Sequence, residues 1–391
     1  MARVPLKDIC EISWGDTTVT KASYVAEGYP AFSASGCDGF LPYFDHEGPG
    51  IVLSAIGAQC GKIWFTQGQW SCIKNTIYIK SRSPEADTRF VFYATSDPDV
   101  WPKRGAAQPF ISQTDARNVE IELPPLPVQR RIAGILSAYD ELMENGQRRI
   151  RLLEAMARAL YREWFVHFRF PGHEKHPRVA SPLGNIPQGW EVKPLGDIAE
   201  DMRRNVPKGE LEEPKPYVGL EHIPRRSLAL DAWETATELG SNKLEFKKGE
   251  VLFGKIRPYF HKVSVAPFDG LCSADTIVIR ARRPEHYAVV VACASSDAFV
   301  AEASATANGA KMPRANWDVL EKFQVVIPKG KVAEKFSALF ADIIAQQQAL
   351  IFQIQNLRRT RDLLLPRLLS GQATHPHPAS PSGRGGELES T

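Results

Sequence analysis

Gly57-Ala58-Gln59-Cys60-Gly61-Lys62-Ile63 sets two glycines and a lysine in the order of a nucleotide-binding loop. That loop needs four residues between its glycines and a hydroxyl after the lysine to reach magnesium. Here three residues intervene and Ile63 stands where the hydroxyl would be, so the stretch reads as a turn entering a strand. His173 and His176 have ligand-like spacing, but they lie among prolines with no cysteine or carboxylate in a metal-site pattern, and no metal site is expected. Neither a G-x-S-x-G elbow nor a G-x-G-x-x-G loop occurs. Nothing suitable for a nuclease site follows Pro98-Asp99, and no Asn/Asp-Pro-Pro-aromatic tetrad is present to hold an adenine amino group for methyl transfer. The absences point toward a chain without catalysis of its own.

The chemistry that remains is contact chemistry, carried by basic and polar clusters beside turns. Phe253-Gly254-Lys255-Ile256-Arg257-Pro258-Tyr259-Phe260-His261-Lys262 gathers Lys, Arg and aromatic residues, and Gln59, Lys62 and Trp64 stand at the matching place earlier in the chain. A second matched pair is Gly105-Ala106-Ala107-Gln108-Pro109-Phe110-Ile111-Ser112-Gln113 and Gly309-Ala310-Lys311-Met312-Pro313-Arg314-Ala315-Asn316-Trp317. Such loops can offer Arg or Lys to guanine and Gln or Asn to adenine, with neighbouring Lys and Ser on phosphates. The candidate contact residues are therefore Gln59, Lys62, Trp64, Gln108, Ser112, Gln113, Lys255, Arg257, Tyr259, Lys262, Lys311, Arg314 and Asn316. The competing reading of each is a solvated turn whose proline and glycine serve only the backbone.

Two long amphipathic stretches must position these loops. Ile132, Ile135, Leu136, Tyr139, Leu142, Met143, Ile150, Leu153, Leu160 and Trp164 recur at gaps that place them on one helical stripe, after Pro124, Pro125 and Pro127. Val332, Phe336, Leu339, Phe340, Ile343, Leu350, Ile354, Leu357, Leu364 and Leu368 repeat the pattern after Pro328. Stripes of this length need a covering partner, and each helix is the natural partner of the other. The globular segments ahead of them contain short β-branched or aromatic runs, at 51–53, 62–65, 76–79 and 119–123, which read as strands, with a short helix over 88–95.

Internal self-similarity joins the two halves. At offset 200, Cys72 matches Cys272, Thr76-Ile77 matches Thr276-Ile277, Ile79 matches Ile279 and Ser96-Asp97 matches Ser296-Asp297. At offset 204, Pro109 matches Pro313, Pro124 matches Pro328, Ile132 falls on Phe336 and Leu160 on Leu364. The expected fold class is α/β (α+β), a tandem duplication of a globular domain followed by a long helix, with the helices pairing as an antiparallel coiled coil. The boundaries read as globular domain 1–125, helix 126–170, linker 171–189, globular domain 190–328, helix 329–372 and a disordered tail 373–391.

Composition adds exclusions. The net charge of +3 announces no partner, and residues 2–125 carry 11 basic against 14 acidic side chains while 190–328 carry 19 against 20. DNA contact by the globular parts must come from local clusters, because the excess sits on the helices, 8 against 5 in 126–172 and 7 against 3 in 329–372. Six scattered cysteines without a C-x-x-C pair fit reduced, mostly buried thiols. With no run of eighteen apolar residues and no signal-peptide core, the chain reads as soluble and cytoplasmic.

With both halves in view, the chain resembles the specificity subunit of a type I restriction–modification system. The residues carrying the resemblance are Leu123-Pro124-Pro125-Leu126-Pro127-Val128-Gln129-Arg130-Arg131-Ile132-Ala133, Leu365-Pro366-Arg367-Leu368-Leu369-Ser370-Gly371-Gln372, Gly254 to Tyr259 and Met312 to Trp317. The resemblance implies two target-recognition domains, each reading one half of a split double-stranded DNA site. It also implies helices that form a spacer and dock two methyltransferase (modification) subunits, with Gln129, Arg130, Arg131 and Arg367 as candidate docking residues. Restriction (motor-nuclease) subunits would complete the complex. S-adenosylmethionine, ATP and magnesium would belong to those partners, with no cofactor on this chain. Val128-Gln129-Arg130-Arg131-Ile132 becomes Val332-Ala333-Glu334-Lys335-Phe336 in the second copy, so the two docking surfaces differ. The alternatives are a scaffold, or an orphan or truncated recognition subunit that binds partners without reading a sequence, and an enzyme with an unfamiliar site.

Overall fold

A computed structural model describes residues 3–371; the tail expected over 373–391 lies outside the described residues. The chain divides into two units, one formed by residues 1–141 and 358–391 and the other by 142–357, and the division falls inside both long helices.

In the first unit the apolar runs become a four-stranded antiparallel sheet in the order Cys10–Trp14, Thr76–Ser81, Gly50–Ser54, Ile63–Thr66. A second four-stranded sheet holds Gly36–Leu41, Tyr29–Ser33, Gln69–Cys72 and His46–Glu47, with Phe32 opposite Cys72 in its parallel pair. Arg3–Pro5 pairs with Glu120–Glu122. Ile51, Leu53, Ile77, Ile79, Phe90 and Trp101 fill the core.

The second unit repeats this order. Ala199–Asp201, Thr276–Ala281, Val251–Gly254 and Val263–Val265 form the antiparallel sheet. Leu53 faces Ile77 and Phe253 faces Ile277, so the offset of 200 holds in the register of this sheet, while Phe32 beside Cys72 and Val218 beside Cys272 keep the pairing but shift the offset of the partner strand to 186. The companion sheet has five strands here, with Gly209–Val218 and Glu234–Leu239 as a long hairpin. The step from offset 200 to 204 has a local cause. In the first copy only the 3-10 turn Pro98–Val100 forms, because Pro102 holds the preceding Trp101 in an extended conformation, whereas Ser296 caps the nine-residue helix Asp297–Ala305 in the second.

The first long helix is α-helical over Leu126–Tyr161 and ends in a π turn, Arg162–Val166, short of the 126–170 span expected. The extra residue in that turn lets neighbouring Trp164 and Phe165 both bury against Phe336, with ring centres 5.8 and 4.6 Å away. The second long helix is Lys331–Leu369. Within the first unit Ile132, Ala133 and Leu136 pack with Leu364, Leu365 and Leu368, and Asp140 accepts a charged hydrogen bond of 2.6 Å from Arg361. Within the second unit Met143, Ile150 and Leu153 pack with Leu350, Ile351, Ile354 and Leu357. Early residues of one helix meet late residues of the other in each unit, so the pairing is antiparallel. Leu142 and Leu339, expected on the stripes, are 52% and 41% exposed. Each sits next to a buried residue, Met143 or Phe340, and adjacent helical side chains diverge by about 100°.

The 171–189 segment, expected as a linker, holds a 3-10 turn at His173–Lys175 and a hairpin of Arg178–Ser181 with Gly184–Pro187. It buries Ile186, and the flanking Phe170 and Trp190 stack with ring centres 5.1 Å apart. Among the described residues no single helix is long and apolar enough to cross a membrane.

Candidate nucleic-acid interface

The two matched loop pairs come together in each unit through the same main-chain bonds. In the first, strand Gly50–Ser54 leads into a turn closed by Gly61 N–H on the Ser54 carbonyl (2.9 Å) and Cys60 N–H on the Gly57 carbonyl (2.9 Å). Gly57 N–H donates to the Pro109 carbonyl (3.0 Å) and Ile111 N–H to the Ala55 carbonyl (2.8 Å), which docks the 105–113 loop on that turn. In the second, Arg257 N–H donates to the Pro313 carbonyl (2.8 Å) and Ala315 N–H to the Lys255 carbonyl (3.0 Å). Arg104 and Phe110 exchange both main-chain bonds, and so do Asn308 and Arg314.

The turn needs two left-handed residues. Gly57 and Gly61 supply them at φ +101° and +93°, where glycine meets no steric penalty. At the equivalent places the second unit uses Arg257 and His261, at φ +49° and +53°. The residue between, Gln59 in one copy and Tyr259 in the other, marks the tip; Tyr259 is 55% exposed and edges onto Phe260 at 4.9 Å.

Lys62, Gln108, Lys311 and Arg314 are exposed, Gln59 and Arg257 half-buried. Arg314 stands 3.4 Å from Asp275. Other candidates are occupied inside their own unit. Ser112 caps the helix Gln113–Arg117 in a capping box with Asp115, and Asn316 caps Trp317–Leu320. The Gln113 amide donates to the Ile12 carbonyl at 2.8 Å. Trp64 packs against the cluster of Phe32, Val52 and Trp70. The Lys255 ammonium donates to the Ala274 carbonyl (3.2 Å) and that of Lys262 to the Leu220 carbonyl. Burial lowers the pKa of both lysines, Lys262 further through nearby Arg225. Asp115 titrates below the ordinary aspartate range because Arg104, 2.5 Å away, and Ser112 bond its carboxylate.

On the long helices, Arg130, Arg131 and Arg367 are exposed. Gln129 is 0% exposed, its oxygen accepting from Asp87 N–H (2.9 Å) and its amide donating to the Glu85 and Pro124 carbonyls (2.7 Å each). It ties the helix start to its own globular unit and presents no docking atom.

Arg225 is the contact candidate that sequence reasoning does not find. A bridge pairs it with Lys262 beside the turn, and it lies after strand Gly209–Val218 in a segment whose length differs between the copies, so the duplication gives no signal for it. Among the described residues no group of three or more His, Cys, Asp and Glu is placed to hold a metal ion. The His173 and His176 rings each face a main-chain carbonyl at 2.9 Å. All six cysteines are free; Cys10, Cys72, Cys272 and Cys293 are buried, Cys37 is exposed and Cys60 intermediate. Burial pushes the four buried thiols up to about 12.

Comparison with known proteins bears on what this duplicated arrangement belongs to. Residues 1–155 match the family model described as the type I restriction modification DNA specificity domain. The chain is 27% identical over 283 residues to the type I restriction enzyme MjaIX specificity subunit of Methanocaldococcus jannaschii, covering 68% of this chain and 64% of that protein. It is 25% identical over 300 residues to the EcoDI specificity subunit of Escherichia coli, covering 69% of this chain and 66% of that protein. The aligned part thus spans just under two thirds of these relatives. The crystal structure of the type I restriction–modification S subunit from M. genitalium shares the fold, with a TM-score of 0.62 at 16% identity over 94% of this chain and 95% of that one. Over residues 1–155 the chain is thus similar to the type I restriction–modification DNA specificity domain.

Proposed function

We propose that the chain is the sequence-reading subunit of a type I restriction–modification complex. Each unit reads one half of a bipartite duplex DNA site. The observation that carries this reading is the turn-and-loop assembly built twice on one backbone plan and carrying different side chains, Gln59 and Gln108 in one copy, Tyr259, Lys311 and Arg314 in the other. A common frame with unlike chemistry suits two half-sites of different sequence. The exposed Arg130, Arg131 and Arg367, with the exposed Leu142, Leu152 and Met156, offer the long helices to two methyltransferase subunits, and motor-nuclease subunits join them. Methyl transfer to adenine and ATP-driven restriction belong to those partners, which hold S-adenosylmethionine, ATP and magnesium, while this chain contributes recognition without catalysis, in the cytoplasm.

The test is binding by the complex reconstituted with its methyltransferase subunit. We expect a footprint on a split, asymmetric site and much weaker binding to random duplex. Equal affinity for both would remove sequence reading and leave a scaffold that assembles partners only.

A further inference from the structure

Nine arginines lie between residues 190 and 328, and seven have a carboxylate within ion-pair distance: Arg203 with Asp201, Arg204 with Glu250, Arg226 with Asp297, Arg280 and Arg282 with Glu200, Arg283 with Glu285, and Arg314 with Asp275. The two without one are Arg225 and Arg257, and they share one ring. The guanidinium carbon of Arg225 is 4.0 Å from the centre of Phe260, and that of Arg257 is 6.0 Å from it. Neither guanidinium makes a hydrogen bond to a described residue. Lys262, bridged to Arg225 along the backbone, adds a third cation to the group. Glu221 offsets part of the charge at Lys262, but neither guanidinium has a carboxylate within ion-pair distance, and like charges gathered so cost free energy unless an anion completes them.

The backbone gives a second, independent indication. Arg257 occupies the left-handed position that the first unit fills with Gly57. A side chain with a β-carbon is strained there, and such strain persists where the residue serves a site. His261, the other strained residue of the turn, has a use inside the unit, its Nε2 lying 2.9 Å from the Ser295 carbonyl. Arg257 hydrogen-bonds within the fold only through its main chain, its N–H donating to the Pro313 carbonyl and its carbonyl accepting from Phe260 N–H, bonds that glycine makes equally well.

We infer that Arg225 and Arg257 form a two-guanidinium clamp on one phosphodiester of duplex DNA, beside the half-site read by the second unit; the inference rests on the DNA-reading role proposed above. Phe260 supports both planar groups from its face, leaving N–H edges free to pair with phosphate oxygens. The first unit has no equivalent, since Gly57 and Cys60 stand where the second has Arg257 and Phe260.

The experiment is a salt titration of binding between the complex of the full-length chain with its methyltransferase subunit and a mixed-sequence DNA duplex, read by fluorescence anisotropy. The double variant Arg225→Gln, Arg257→Gln should flatten the plot of log affinity against log salt by about 0.9, the loss of one neutralised phosphate. It should weaken unrelated duplexes alike, as a phosphate contact does. Arg257→Lys should keep the slope. Arg257→Gly should lose it while melting at the same or a higher temperature, because glycine relieves the left-handed strain. An unchanged slope in the double variant, with wild-type binding intact, overturns the clamp. So does an Arg257→Gly variant that melts lower and keeps its slope, which would make the guanidinium a structural strut. Loss confined to one base position would make it a base contact instead. If the wild-type complex fails to bind the duplex at low salt, the DNA-reading role itself falls.

Discussion

At the scale of single residues, exposure separates side chains available to a partner from those holding the fold. Gln129 belongs to the second class. Replacing it with Ala leaves the Asp87 N–H and the Glu85 and Pro124 carbonyls without their partner, at a cost of about 2–3 kcal/mol by urea denaturation, with little change in DNA affinity of the folded fraction. A normal denaturation midpoint with lost partner binding would return Gln129 to the docking surface. Glu191 gives a pH prediction. Hydrogen bonds from Lys193 and Lys329 lower its pKa to about 2 from an ordinary 4.5. A carboxylate lowered on folding contributes stability present above 4.5 and lost as pH falls toward 2, so Glu191→Gln should melt less steeply with acid across that window. Indistinguishable acid profiles would show the pair to be solvated. Of the candidate contacts, the exposure of Lys62, Gln108, Tyr259, Lys311 and Arg314 was legible because a turn beside a basic cluster is a local pattern. Ser112 carried its own warning, for Ser112 with Asp115 three residues on is a capping box. Gln113 and Gln129 carried none, since Ile12, Glu85 and Asp87 are distant in sequence and only folding brings them near.

At the scale of elements, the helix pair concentrates its energy on a few buried contacts. Phe336, fully buried against Trp164 and Phe165, should cost about 3–5 kcal/mol as Ala, while Leu142→Ala, on an exposed face, should cost under about 0.5. Thermal or chemical denaturation of the two variants compares them directly, and similar losses would contradict the packing described. Short apolar runs bounded by glycine announced the central strands, because a strand buried on both faces has a strong composition. Tyr29–Ser33 and Gly36–Leu41 were not announced: their glycines, serines and Asp38 give a weak strand signal, and pairing with Gln69–Cys72 supplies what local propensity does not. The hairpin within 171–189 hid for the same reason, as its prolines and glycines shape turns around one buried side chain, Ile186.

At the scale of the whole molecule, duplication was the most legible feature, because two copies must repeat the spacing of their core. The side chains that differ between copies were the least legible, since a reader's specificity lies in exposed groups that packing does not constrain. Both long helices run through the division between the units, which assigns them a spacer role in the proposed function. Inserting one helical turn, about four residues, at matched places in both helices should lengthen the unread gap in the DNA site, as mapped by methylation sequencing. An unchanged gap with intact binding would mean that something else sets the spacing. The most direct measurement exchanges residues 190–328 for the corresponding segment of another family member and sequences the adenine methylation produced by the reconstituted complex. Two independent readers predict a motif that changes in one half and keeps the other half and the gap. A motif altered in both halves, or in neither, would contradict the account.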